Sequence, residues 1–322
     1  MKRLPADASK SLDRKLVGAN ITKLQLFEIA LHPATRNNRA ALERILADHR
    51  QIGVDRDNAV WVIATNQHLR PHERSFTHHY HGQEVAGVHM PQMHPLFFDD
   101  PHAVITRFTP GRYFTDHYND ATTDTLAAIE TVHTAFQLAA YTYTRKHKVD
   151  LRRRDADKWT ISRTLGWPLK NARYPEGRQH LSIAGFGRMV KGIVNHVLVA
   201  DDLIGPAHDD IHGDRIVVDD KGKLHFTQLH LYTRPYHQYY DRLRAWGHML
   251  LFADDPVAVR RIVEEKVAAL CAAMPAHAAG IRALWQMRMT GMLNDTLKVS
   301  VRLNDPHFKG HRAVFSEIIN GS

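Results

Sequence analysis

GRMVKGIVNHVLVADDL, residues Gly187 to Leu203, is the stretch from which this chain is best read. At helical spacing Met189, Ile193, Val197 and Ala200 form an apolar stripe, which Val190 and Val194 widen. His196 stands beside the stripe. One turn earlier, at i−4, Gly192 has no side chain. An imidazole on an oily helix with a gap beside it has two readings. It is a core histidine satisfied by its neighbours, or it is an iron ligand whose flat cofactor lies in the gap.

The surroundings of this helix are mostly helical in pattern. TTDTLAAIETVHTAFQLAAYTYTRKHK predicts a long helix that Thr122 or Thr123 can cap, with basic residues at its end to match the macrodipole. Further helices are expected near Ile21–Ala30, Arg39–Arg50, Tyr239–Leu251, Asp254–Cys271 and Ala276–Leu293. The one starting at Asp254 carries a cap residue followed by Pro256 at its first position. AVWVIAT (Ala59 to Thr65) reads equally as a short strand or a buried helix. RIVVDDKGKLHFTQLHLY predicts a β-hairpin turning at DDKG, and LKVSVRL (Leu297 to Leu303) alternates like a late strand. With no repeat or Gly/Ser linker visible, residues 1–322 read as one domain, mainly α with a small β element.

Composition narrows the chemistry. The 322 residues are 43% hydrophobic, enough for a sizeable core. No run of 18 apolar residues occurs, and MKRLPADASKSLDRK lacks the apolar centre of a signal peptide. Cys271 is the single cysteine, which excludes an internal disulfide, zinc ribbons and iron–sulfur ligation. A cytoplasmic protein with no membrane partner is expected. The net charge of +9 suits an anionic ligand, but no aromatic–basic motif accompanies it, so nucleic acid is not expected as a partner. The 24 histidines are the unusual number.

Three other groups carry chemistry in their pattern. FTHHYHGQEVAGVHMPQMHP holds His78, His79, His81, His89 and His94. His89, between Val88 and Met90, is the one expected to face an apolar pocket as a general base. PAHDDIHGD holds His208, Asp209, Asp210, His212 and Asp214. His208, Asp210 and His212 there offer a non-haem iron, zinc or manganese site, though the segment is rich in turn formers. In LHLYTRPYHQYYDRLRAWGHMLLF, Tyr236, Tyr239, Tyr240 and Trp246 can line an aromatic pocket or simply pack, and Arg234, Arg242 and Arg244 can meet carboxylates.

The helical, histidine-rich, cysteine-poor whole resembles the haem-dependent aromatic oxygenases, relatives of tryptophan 2,3-dioxygenase. It looks closest to the bacterial haem-dependent L-tyrosine hydroxylases of antibiotic and other natural-product biosynthesis. The residues that carry this are the Gly187–Leu203 helix, HHYHGQEVAGVHMPQMHP and KLHFTQLHLYTRPYHQYYDRLRAWGHM. The resemblance implies a helical bundle of the tryptophan 2,3-dioxygenase type. It implies non-covalent haem b with His196 as the axial iron ligand, Arg188 and Lys191 near the propionates, and His89 as distal base. L-tyrosine would be hydroxylated to 3,4-dihydroxyphenylalanine with hydrogen peroxide or dioxygen, in a chain free to form a homo-oligomer. The competing expectations are the non-haem metal enzyme and a basic polyanion-binding protein.

Overall fold

The computed structural model describes residues 6–47, 50–65, 71–98, 100, 103–114, 116, 123–211, 215–303 and 308–321. The chain divides into two compact units. One comprises Met1–Arg112 with Ile216–Leu229, the other Tyr113–Arg215 with His230–Ser322.

The first unit is built on strands. β1 (Thr22–Leu24), β2 (Gln51–Val54), β3 (Val60–Thr65) and β6 (Ala103–Arg107) form an antiparallel sheet in the order β1-β2-β3-β6. The doubtful AVWVIAT run is the strand β3. Its side chains alternate between two cores: Trp61 and Ile63 pack with Leu12 and Leu16 of α1 (Ala6–Gly18), while Val60 and Val62 pack with Leu42 and Ile45 of α3 (Arg39–Ala47). A strand covered on both faces needs apolar residues at every position, which erases the alternation that marks a half-buried strand. Asp55 shapes the β2–β3 turn. Its carboxylate accepts from the backbone N–H of Asp57 and Ala59, both at 2.9 Å, and from Trp61 Nε1 at 2.8 Å. Asn58 supplies the left-handed residue there, with φ of 60°.

A second sheet runs β4-β5-β10-β9-β7. It joins β4 (Glu84–Val85), β5 (Val88–His89), β7 (Arg112–Tyr113), β9 (Ile216–Val218) and β10 (Leu224–Phe226). The expected hairpin is β9–β10, with Phe226 opposite Ile216 and Leu224 opposite Val218. β10 also pairs in parallel with β5, which places His225 beside His89.

The second unit is helical around α11 (Ala278–Leu303), which packs against α6 (Arg153–Asn171), α8 (Ile183–Gly192), α9 (His237–Phe252), α10 (Pro256–Ala273) and α12 (Lys309–Asn320). Asp255 caps α10 as its sequence predicts, accepting from Val257 and Ala258 N–H at 3.0 and 3.1 Å. LKVSVRL is helical, not a strand: it is the last part of α11. A helix already formed gains one hydrogen bond per added residue, and Leu297 lies buried in it, so tertiary surroundings override the β-branched pattern. β8 (Ile204–Ala207) and β11 (Tyr232–Pro235) form a two-stranded antiparallel ribbon between helices of this unit. Among the described residues no single helix is long and apolar enough to cross a membrane.

The expectation of a tryptophan 2,3-dioxygenase-like helical bundle with one hairpin is therefore corrected. The first unit is built on a four-stranded and a five-stranded sheet; most of their strands are two to four residues long, too brief to show a period in sequence, and β3 is masked by burial on both faces.

Candidate active site

A cluster of paired charges lies where β8 ends. His208, fully buried, follows the strand, and Asp209 then takes a left-handed φ of 59°, a conformation aspartate tolerates better than most residues. This loop hangs from one side chain of α9. Asp241, also fully buried, accepts the His208 N–H at 2.9 Å with Oδ2 and the Asp209 N–H at 2.8 Å with Oδ1. Both backbone donors, left without a strand partner by the turn, are thus satisfied by one carboxylate.

Three arginines close on the two loop aspartates. Arg234 of β11 pairs with Asp209 Oδ2 and gives its other amino group to Thr233 O at 2.8 Å. Arg244 of α9 bridges the pair, reaching Asp209 Oδ1 at 3.0 Å and Asp210 Oδ1 at 2.9 Å. Arg215 reaches Asp210 Oδ2 at 2.9 Å. Burial pushes the Asp209 carboxyl up, but Arg234 and Arg244 outweigh it and hold the group below the ordinary carboxylate range. Asp241 shows the opposite balance. Burial pushes it up to about 7, against the lowering effect of the two N–H groups it accepts. Burial also lowers His230 to about 4, so it stays neutral. Asp210 is the most open of the three carboxylates, with its side chain 20% exposed.

Asp241 carries a pH prediction. Its folded-state carboxyl holds a proton more tightly than an unfolded one with a pKa of 3.8. Its contribution to stability is therefore complete below about pH 4 and is lost as pH rises through about 7. The unfolding free energy of the wild type, measured in urea, is expected to fall relative to Asp241→Asn across that window. Parallel profiles would show that Asp241 does not titrate there.

The residues singled out from sequence are scattered. His196 lies in a single π-helical turn, Ile193–Val197, after α8, with its side chain exposed to solvent. Its carbonyl accepts from Tyr236 Oη at 3.0 Å. The gap at Gly192 is filled by protein: a Cβ there would lie 2.7 Å from Ala283 Cβ of α11. The bare position thus seats a neighbouring helix and does not make room for a porphyrin. Gly192→Ala is expected to lose about 1–3 kcal/mol of stability by overpacking, whereas His196→Ala stays within about 0.5 kcal/mol as an exposed site. Urea unfolding checks both.

Arg188 is exposed and donates to Asn320 O of α12, and Lys191 is exposed on α8. His89 lies in the first unit on β5, stacked on His225 with ring centroids 4.6 Å apart and 3.4 Å from Glu84. The other histidines of its stretch have separate packing roles. His78 leans on Phe98, His81 Nδ1 accepts the Met93 N–H at 3.1 Å, and His94 meets the edge of Trp61. They do not converge on a pocket. Of the alternative metal set, His208 and Asp210 share the β8 loop, while His212 lies outside the described residues. Among those residues no three His, Cys, Asp or Glu side chains gather to hold a metal. The readings as non-covalent haem b protein, tyrosine hydroxylase and non-haem metal enzyme are accordingly withdrawn, together with L-tyrosine and peroxide or dioxygen as partners.

Arg234, Arg242 and Arg244 do meet carboxylates, as their placement predicts, but those of the protein: Asp209, Glu130 at 2.8 Å, and Asp209 with Asp210. Sequence reasoning missed Asp241 and Arg288. The available signal was charge on the buried side of a helix. Asp241 and Arg244 are spaced i, i+3 among Tyr240, Leu243 and Ala245, where burial leaves no solvent to hold them. Cys271 is buried, and burial pushes its thiol up, in keeping with a small apolar side chain.

No family model and no curated protein matches the chain. Several solved structures are similar to it at low identity. The aminoglycoside phosphotransferase APH(4)-Ia is 12% identical with a TM-score of 0.47, covering 98% of this chain and 99% of its own. An ethanolamine kinase of Plasmodium vivax is 11% identical with a TM-score of 0.45, covering 84% and 78%. The macrolide 2'-phosphotransferase MphH of Brachybacterium faecium is 11% identical with a TM-score of 0.40, covering 85% and 88%. These are phosphotransferases by name. The resemblance to haem-dependent aromatic oxygenases is not sustained by the site itself, where His196 is exposed and Ala283 fills the gap at Gly192.

Proposed function

We propose that this chain is a phosphoryl-transfer enzyme in which Asp210 receives the proton of an acceptor hydroxyl. The β8 loop, and not likeness of fold, carries this reading. His208-x-Asp210 followed after four residues by Arg215 has the order of the phosphotransferase catalytic loop, His-x-Asp-x4-Asn, whose aspartate accepts the substrate hydroxyl proton. Here the loop leaves a strand, is fixed by Asp241 beneath it, and presents Asp210 as its most open carboxylate. Arg215 and Arg244 each engage one Asp210 oxygen, and the side chain stays 20% exposed on the side from which a hydroxyl can approach.

The reaction asks little of the base. In a loose transition state the hydroxyl oxygen forms the new P–O bond as the bond to the leaving group breaks, and its proton passes to an Asp210 oxygen. Positioning and charge supply most of the acceleration. Phosphotransferase loops hold a divalent ion through the asparagine of this pattern. Arg215 stands at that spacing here, and a guanidinium has no lone pair to offer a metal. The described residues thus do not fit such an ion. Guanidinium groups are the site's means of meeting phosphoryl charge, as arginine clamps are.

The test is transfer of label from γ-labelled ATP to a panel of hydroxyl-bearing acceptors. Labelled acceptor formed above the level of Asp210→Asn supports the assignment. No labelled acceptor above that level overturns it.

A further inference from the structure

Behind the paired arginines lies a second set without carboxylate partners. Arg288 of α11 is 5% exposed. It donates to His248 Nε2 at 3.2 Å, and its Nε has no partner. Arg163 of α6 also has an unpartnered, buried Nε. Among the described residues neither forms an ion pair.

The two guanidiniums share an aromatic platform. Arg163 lies 5.4 Å and Arg288 5.8 Å from the ring centre of Trp167. Trp167 rests against α11 at Gly291, where a Cβ would come within 2.9 Å of the indole. The next ring, Trp159, carries Arg234 at 4.4 Å and Arg163 at 5.9 Å, and meets Tyr240 edge-on at 5.2 Å. An array of three arginines (Arg234, Arg163 and Arg288), two tryptophans and a tyrosine therefore leads from the loop aspartates to Arg288.

Its charges do not balance. Arg215, Arg234, Arg244, Arg163 and Arg288 face Asp209, Asp210, the more distant and exposed Asp295, and a carboxyl, Asp241, whose pKa burial raises to about 7. Burial, and after it the charge of Arg244, disfavour the charged form of Arg288, against the opposing pull of Tyr240, Asp295 and Asp209. Leaving a guanidinium buried and unpaired costs several kcal/mol unless something compensates it. Stacking on Trp167 offsets only part of that cost.

We propose that Arg288, with Arg163 and Arg244 beside it, binds an oxyanion: a phosphate or phosphoryl group, taken up without a metal. This deepens the phosphoryl-transfer reading by naming where the transferred or product phosphate is held. It is tested without turnover, so the two can fail separately.

The probe is inorganic phosphate, in EDTA, against chloride at equal ionic strength, with thermal unfolding of the full chain as the readout. The wild type is expected to gain roughly 5 °C at a phosphate concentration ~10-fold above the dissociation constant. Arg288→Met is expected to melt at or above the wild-type temperature in chloride, because a buried unpaired charge has been replaced by an apolar chain of similar length. The same variant is expected to lose the phosphate-dependent rise. Asp210→Asn keeps that rise although its transfer activity is gone. Equilibrium dialysis with labelled phosphate gives the same comparison independently of Tm. A wild type stabilised no more by phosphate than by chloride overturns the proposal, as does an Arg288→Met protein that binds labelled phosphate like the wild type. A wild type that binds phosphate but transfers none overturns only the catalytic reading.

Discussion

Asp210→Asn is expected to lower the rate of phosphoryl transfer roughly 100- to 10,000-fold, the range for removing a positioned proton acceptor. The amide matches the carboxylate in size and keeps one oxygen for Arg244 or Arg215. Its NH₂ group cannot take a proton, and it points a donor at the other guanidinium. The loss falls on kcat with little change in KM, because the proton is transferred only as the new bond forms. Stability falls by about 1–3 kcal/mol, less than for Asp209, since Asp210 and its two arginines are partly open to solvent. Single-turnover measurement with γ-labelled ATP separates chemistry from release. A variant within about tenfold of the wild type would assign the proton to another group.

Asp209→Asn is expected to be the most damaging substitution for stability, at about 3–5 kcal/mol. Asparagine tolerates the left-handed φ of 59° and fills the same space, so the change isolates the charge. What is left is Arg234 and Arg244, buried together with one carboxylate fewer between them. For a unit of this size the corresponding fall in Tm is roughly 6–20 °C, measured by calorimetry. The difference also depends on pH. Asp209 has a lowered folded-state pKa, so its stabilisation is present above the unfolded value of 3.8 and disappears as pH falls through the folded one. Wild type and variant are expected to converge in strong acid. Equal stability at pH 7 would mean that both arginines reach water.

The two substitutions show why the site was only half legible. His208, Asp209 and Asp210 are adjacent, and a run of that composition between a helix and a hairpin stands out in sequence. Asp241, the residue that fixes the loop, is 32 and 33 positions away from the backbone groups it holds, within a helix whose surroundings read as core. No local pattern records that distance. The histidines misled for a related reason. A count of 24 suggests cofactor ligation, but each imidazole is assigned by what packs on it, and His89 meets His225 from a strand 136 residues later. Gly192 was the deepest ambiguity. A missing side chain marks a close approach without naming what approaches, and Ala283 of α11 is the occupant.

By itself the sequence determined the elements whose cause is local: the Asp255–Pro256 start of α10, the turn of the β9–β10 hairpin and the long helix observed at Thr123–Lys146 in the second unit. These depend on hydrogen bonds and dihedral preferences within a few residues, which every conformation of the chain shares. Only the tertiary structure decided that β3 is a strand covered on both faces, that the apolar run after Leu297 continues a helix, and which charges meet. Burial sets those outcomes, because a carboxylate or guanidinium in water is indifferent to distant partners. One removed from water is stable only where the fold has brought its counter-charge or a ligand to it.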